Sequence, residues 1–461
     1  MANTRLTRTN SGNATEVKKG TISLWFKATE VLTGGSDRWL IGQYTDGNAH
    51  FYIYLRNSGA IGIYQVEGGS TQYNYITRMI VRDNSAWYHL VLAWDTTVST
   101  ATERTKLYIN GERITTFETQ TNIPQNYGLR IADPRVQYIG GVSGYGTHYN
   151  GLMSHVHYAD GTQYAPTVFG SVDSVTGEWQ INTSPSFTPG NHGFTILKDG
   201  NTITDQSANS NNWSLQSGTI TNTKDCPSNV MATMNPLAKF KSGAGITQGN
   251  NTVTMTTAKA GVMSTIGIPN NKGKFYAEFK MTRLAADSRF HFGILPFECL
   301  EADDPVNAAN KGIMLSGYNA AIYAGGGNIN AFYGGTGRFN SFTGILGIAV
   351  DLTSSTKTIA FSKDGAWITG SNATNANYSN ALKVNITSYL SISPHWHIGV
   401  GSGNSSGTTG IYTMNFGNGF FGTTAITTNS GNGYAGAEGA SKFNYAVPSG
   451  YSALNTKGLN Q

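Results

Sequence analysis

The sequence predicts an all-β protein made of two tandem antiparallel β-sandwiches, and three observations carry that reading. Charged residues make up 12% of the chain, where soluble domains usually carry about 25%. Their place is taken by 57 glycines and abundant Asn, Thr and Ser, a mixture that disfavours helix because Gly costs about 1 kcal/mol there relative to Ala. Short apolar–polar alternations recur between turn signals, which is the period of half-buried strands. Finally, one kind of hairpin signal occurs twice, far apart: "KLYINGERI" (106–114) breaks its alternation at Asn110-Gly111, and "IAFSKDGAWI" (359–368) breaks at Asp364-Gly365. Both central residues of a type I′ turn need positive φ, which Asn, Asp and Gly tolerate. At 461 residues the chain exceeds one ordinary core, so the repeated hairpin reads as one per sandwich.

In the first half, "GTISLWFKA" (20–28) sets Ile22, Leu24 and Phe26 against Thr21, Ser23 and Trp25. "RWLIGQY", "HFYIYLRN", "AIGIYQV" and "WYHLVLAWD" follow at the regular spacing of an antiparallel sandwich. After the first hairpin come "VQYIGGV" (136–142) and "GLMSHVHYAD" (151–160). Alternation on the latter puts His155 and His157 on one face, as a solvated or core-edge pair or as two ligands lacking a third. From 171 to 235 the texture turns Asn/Ser/Thr/Pro-rich. A structureless connection of that length would be unusual within a domain, so brief strands such as "GFTILKD" (193–199) are expected to complete the first sandwich.

The second half repeats this logic with "KGKFYAEFKM" (272–281), "RFHFGILP" (289–296) and "GILGIAVDLTSSTKTIAFSKDGAWI" (344–368). The expected domains are residues 1–225 and 226–461, the second carrying a long exposed Gly/Thr/Asn-rich loop near 416–440.

"WYHLVLAWD…KLYINGERI" resembles the strand pattern of concanavalin A-like, laminin-G-like jelly rolls. "GLMSHVHYADGTQYAPTVFG" resembles the closing part of such domains in phage and algal-virus proteins. The ordered succession "HGF", "ANSNNW" and "CPSNVMATMNPL" is similar to the segment joining two domains in those proteins. The block 344–368 resembles the SPRY signature, a Gly-led strand ending in Asp351 and a strand closing on Lys-Asp-Gly. These resemblances imply a concanavalin A-like jelly roll followed by a SPRY-like sandwich that binds through loops. They also imply a virion surface protein, either a capsid decoration or a fibre-like component.

Several chemistries find no pattern. A retaining glycosidase needs two carboxylates about 5 Å apart, whereas Glu278 stands alone on its strand and Asp95 and Asp351 close theirs before turns. The acidic run "ECLEADDP" (298–305), with Glu298, Glu301, Asp303 and Asp304, fits no calcium-loop spacing. No Gly-x-Ser-x-Gly elbow occurs, and the glycine-rich runs 325–339 and 401–407 precede no helix that could hold an anion. His395 and His397 flank Trp396 in an edge-of-strand pattern. An enzyme is therefore not expected, nor a cofactor or metal. A glucanase-type enzyme remains the alternative from another class, with a lectin-like adhesin as a third.

A net charge of +5 without a basic block disfavours nucleic acid. No segment reaches the ~18 apolar residues of a membrane span, and the first twenty residues have no signal-peptide core. Cys226 and Cys299 could pair once, but free buried thiols are the expectation. Binding is the better expectation, because 24 tyrosines supply flat area and a hydroxyl at low entropic cost. Two loops stand out as ligand sites: 67–75, with Tyr73 and Tyr75, and 141–151, with Tyr145, His148 and Tyr149. The expected partners are capsid or tail proteins of the same particle and host glycans, in a homo-oligomer.

Overall fold

The computed structural model describes residues 4–29, 35–142, 145–146, 148–198, 202–283, 290–301, 311–318, 320–331, 342–370, 373–403, 410–426 and 434–459. The chain divides into two compact units, Met1–Asn222 and Thr223–Gln461.

In the first unit, one sheet runs in spatial order Phe117–Thr121, Ser70–Ile80, Ala60–Glu67, Ala49–Leu55, Arg38–Asp46, Val136–Ile139, Arg5–Thr9 and Ser214–Ser217. Against it packs a six-stranded sheet of Phe194–Ile196, Gly151–Asp160, Lys19–Ala28, Tyr88–Asp95, Thr105–Ile109 and Glu112–Arg113. Alternation decides which side chains meet between them. Leu24 and Phe26 from one sheet and Phe51, Ile53, Leu55 and Ile63 from the other share a single core. The Asn/Ser/Thr-rich stretch does complete this sandwich: Phe194 and Trp213 meet edge to face at 5.1 Å within it, and Ser214–Ser217 pairs with Arg5–Thr9.

The second unit is also two-layered. One sheet has Met234–Phe240 at one edge and His395–Ser402 and Phe290–Pro296 at its centre. The other is built around Lys274–Arg283, Ile345–Asp351 and Thr358–Lys363. Phe279, Phe292, Ile348, Phe361 and Trp396 fill the space between them. Both expected hairpins form, with φ of 49° and 81° at Asn110 and Gly111 and 47° and 82° at Asp364 and Gly365. The two units share one more device, a lysine that opens a strand and pairs with the aspartate closing its neighbour. Lys19 reaches Asp95 and Lys274 reaches Asp351, each at 3.0 Å.

Three expectations change. The 416–440 stretch is not simply exposed: Phe416, Phe420, Phe421 and Ile426 are buried, because a Gly/Thr-rich segment carrying that much apolar area folds back on the unit; residues 427–433 lie outside the described residues. Cys226 and Cys299 are both free, but only Cys299 is buried. His395–Ser402 is a central strand, where His395 is exposed and His397 Nδ1 donates to Ser264 O at 2.8 Å. Of the acidic run 298–305 and the glycine-rich runs 325–339 and 401–407, the parts 302–305, 332–339 and 404–407 lie outside the described residues. Among the described residues, no helix is long and apolar enough to cross a membrane, and no three His, Cys, Asp or Glu side chains gather as a metal site.

Candidate functional site

The outer face of the first unit's large sheet is paved with aromatic rings. On Ala49–Leu55, the residues that alternate with the core-facing Phe51, Ile53 and Leu55 are His50, Tyr52 and Tyr54. Neighbouring strands add Trp39 and Tyr44, Tyr64, and Tyr138, and these rings cluster with Val142. Trp39 and Tyr52 stack at 3.9 Å with 18° between planes. His50 lies between Tyr44, at 5.7 Å, and Tyr52, at 5.4 Å. Tyr64 is 5.7 Å from Tyr52.

Two glycines make room for this packing. A Cβ on Gly42 would come within 2.8 Å of Tyr52 Cβ, and one on Gly62 within 2.1 Å of the Tyr54 ring. The rings therefore lie against bare backbone. We expect Gly62→Ala to displace Tyr54 and cost about 1–2 kcal/mol by overpacking, read as a lower urea midpoint together with a changed near-UV dichroism.

The rings of the face are themselves uncharged at neutral pH, with Asp37 and the Arg56–Glu118 ion pair near Tyr54. Burial lowers the His50 imidazole, and its Nδ1 donates to Asp46 O at 3.1 Å, leaving Nε2 as an acceptor. The hydrogen bond with Tyr145 pushes the Tyr44 hydroxyl up to about 12, and burial does the same for Tyr54. These hydroxyls stay protonated at ordinary pH, so they can both donate and accept. Marginal carboxylates are engaged by backbone: Asp46 accepts from Asn48 N at 2.7 Å and Asp37 from Asn57 N at 3.3 Å. Flat rings flanked by neutral hydroxyls suit a ligand with apolar C–H faces and hydroxyl edges.

The residues expected from sequence separate into two groups. Tyr73 and Tyr75 are 0% and 2% exposed. They lie on a strand, point into the sandwich core, and cannot touch a ligand. Tyr149 is also buried, with its hydroxyl donating to Lys27 O at 2.8 Å. Their positions beside Gly/Asn-rich turns resembled rim loops, but period-2 alternation turns them inward. Tyr145 is 48% exposed and borders the aromatic face, its hydroxyl 2.5 Å from that of Tyr44. His148 bridges to Trp39 alongside it. His155 and His157 are both buried, on a strand kinked by a bulge between Ser154 and His157, with φ of 49° at His155. The paving rings themselves went unassigned, although every second residue of "HFYIY" is an outward aromatic.

Residues 3–168, which include every paving ring, match the family described as "Concanavalin A-like lectin/glucanases superfamily". The first unit carries a concanavalin A-like domain. No curated protein matches the chain. Among solved structures, the chain is similar to domains LG4-5 of the mouse laminin alpha1 chain, at 10% identity over 89% of this chain and 80% of that one, with a TM-score of 0.26. A putative carbohydrate binding protein from Bacteroides ovatus is similar at 16% identity, covering 48% of this chain and 59% of that one, with a TM-score of 0.34. The CBM40 module of Ruminococcus gnavus IT-sialidase, bound there to α2,3-sialyllactose, is similar at 22% identity over 31% of this chain and 79% of that one, with a TM-score of 0.22.

Proposed function

We propose that the protein is a carbohydrate-binding protein without turnover, and that its concanavalin A-like domain holds a neutral glycan across the aromatic face. The observation that carries this is the contiguous paving of rings, in which Tyr44, Tyr52 and Tyr64 are half-buried and stand beside the buried Trp39, His50 and Tyr54. Stacked rings give area, and the hydroxyls at their edges give orientation, as adaptable binding surfaces require. Calorimetric titration with a panel of neutral oligosaccharides, beside a reducing-end release assay, tests it. Saturable binding without new reducing ends is expected. Failure to bind any glycan, or turnover abolished by replacing one acid, overturns it.

The wider setting we propose is a virion surface, as a capsid decoration or fibre component in a homo-oligomer that contacts capsid or tail proteins, with the second unit a SPRY-like sandwich. It is supported by the likeness of the "HGF", "ANSNNW" and "CPSNVMATMNPL" succession to viral two-domain proteins. Mass spectrometry of purified particles tests it, and absence of the chain from them refutes it.

A further inference from the structure

A second aromatic layer covers the outer face of the six-stranded sheet, and it rests on histidines. Residues 161–192 leave the Gly151–Asp160 strand, form the hairpin Gly170–Val172/Trp179–Ile181, and return to the sheet at Phe194–Ile196. Tyr164, Val168, Phe169 and Phe187 of this segment pack over Val91 and Ala93. The ends of the segment are bonded to the rest of the unit, Tyr164 N to Thr21 Oγ1 and His192 N to Asp160, while its middle, residues 170–186, is mostly exposed and held at fewer points.

Two of those points are imidazoles. The ring of His157 lies 5.6 Å from Phe169 and 5.4 Å from Phe187, with Nδ1 2.9 Å from Thr195 Oγ1. His89 stacks on Trp25 at 4.7 Å, and Trp179 lies nearly coplanar beside it. Trp179 Nε1 donates to His89 Nδ1 at 2.9 Å. An indole N–H can only donate, so Nδ1 carries no proton and the ring's proton sits on Nε2, facing Ser23 Oγ at 2.8 Å. A second proton on His89 would set two donors against each other and break the clamp. The indole itself fills a niche that a Cβ on Gly111 or Gly170 would close, at 2.4 and 2.6 Å.

We propose that residues 161–192 form an acid-released strap, in which protonation of His89 and His157 detaches Trp179, Phe169 and Phe187 from the sheet. The groups facing these imidazoles favour that outcome. His155 lies 6.2 Å from His157 on the same strand, and Lys198 follows the Phe194–Ile196 strand; Lys106, on Thr105–Ile109, is paired with Glu103 at 3.4 Å. The strap's acids, Asp173 and Glu178, are not set against the imidazoles; Asp173 accepts from Val175 N and Thr176 N and Glu178 is exposed. Asp205 is taken up by Thr195 N, Ser207 and Asn211 N. Burial, with His155 beside it, pushes His89 down to about 3, and His157 falls well below the usual range for the same reasons.

A lowered imidazole binds its proton more readily in the released strap than in the closed one. Closure is therefore unaffected above pH ~6.5 and weakens as pH falls below it. At pH 5.5 each histidine contributes about tenfold to opening, and the two about a hundredfold.

Hydrogen exchange on the full chain, corrected for intrinsic rates, tests this at pH 7.5 and 5.5. Opening of residues 165–185 is expected to rise about a hundredfold while the Tyr88–Asp95 strand stays protected. His89→Gln keeps an acceptor for Trp179 and a donor for Ser23 without titrating, so it should stay closed at pH 7.5 and lose about tenfold of the acid response. Trp179→Phe should open the strap at both pH values. Should His89→Gln disturb the whole unit, His157→Gln provides the same tenfold readout. Equal strap protection at the two pH values, or a glutamine variant as acid-sensitive as the wild type, overturns the proposal.

Discussion

Replacing Glu278 by alanine is expected to destabilise the second unit by about 4 kcal/mol, the scale for stripping the partner from several buried donors. Glu278 lies on Lys274–Arg283 and is fully buried. Ala277 and Phe279 beside it enter the core, so its carboxylate faces the opposite side of the sheet, where Phe443, Tyr451 and Ala453 of the C-terminal segment pack. Oε1 accepts from Tyr445 N at 2.7 Å and Tyr276 Oη at 3.3 Å, and Oε2 from Asn444 N at 2.8 Å and Asn415 Nδ2 at 3.0 Å. Alanine takes the acceptor from the backbone N–H groups of Asn444 and Tyr445, Asn415 Nδ2 keeping Lys442 O, and the segment that closes the unit loses its pin. For a unit of this size the melting temperature should drop by about 10 °C.

The same residue predicts a pH dependence. Burial pushes the Glu278 carboxyl up to about 7, although the surrounding donors pull downward. A raised carboxyl adds stability below its unfolded value near 4.5 and loses that contribution as pH climbs to about 7. Wild-type stability relative to Glu278→Gln, measured by urea unfolding, should therefore fall from pH 4.5 to 7.5. A rise of wild-type stability relative to the variant with pH shows that the hydrogen bonds outweigh burial.

Tyr52→Ala is expected to weaken glycan binding by about 30-fold or more, the scale of an aromatic hot spot. The ring stacks on Trp39 and has Tyr54 at 5.1 Å and Tyr64 at 5.7 Å, so its removal opens a gap in the middle of the paving. Tyr52→Phe keeps the stack and removes one hydroxyl, and should cost severalfold at most. Isothermal titration of the two variants separates stacking from hydrogen bonding. Equal affinity of wild type and Tyr52→Ala places the ligand elsewhere.

Architecture was legible because its signals are local. Asn110-Gly111 and Asp364-Gly365 need only their own φ preferences to turn, and both turned. The aromatic face proposed to bind glycan was not legible in the same way. Tyr73 and Tyr75 were read by their nearness to a glycine turn, but whether a strand residue points in or out depends on which face its sheet buries. Once Phe51, Ile53 and Leu55 face the core, His50, Tyr52 and Tyr54 have no choice but the outside.

His89 shows the further limit. Its strand position is evident from "WYHLVLAWD". Its tautomer is set by Trp179, 90 residues away, and no local pattern announces that partner. Composition and turn chemistry alone therefore determined that this chain would be β-sandwiches, since each acts over a few residues. Which rings face water, which imidazoles are clamped, and that Glu278 pins the chain's end were decided only when distant strands packed and chose their faces.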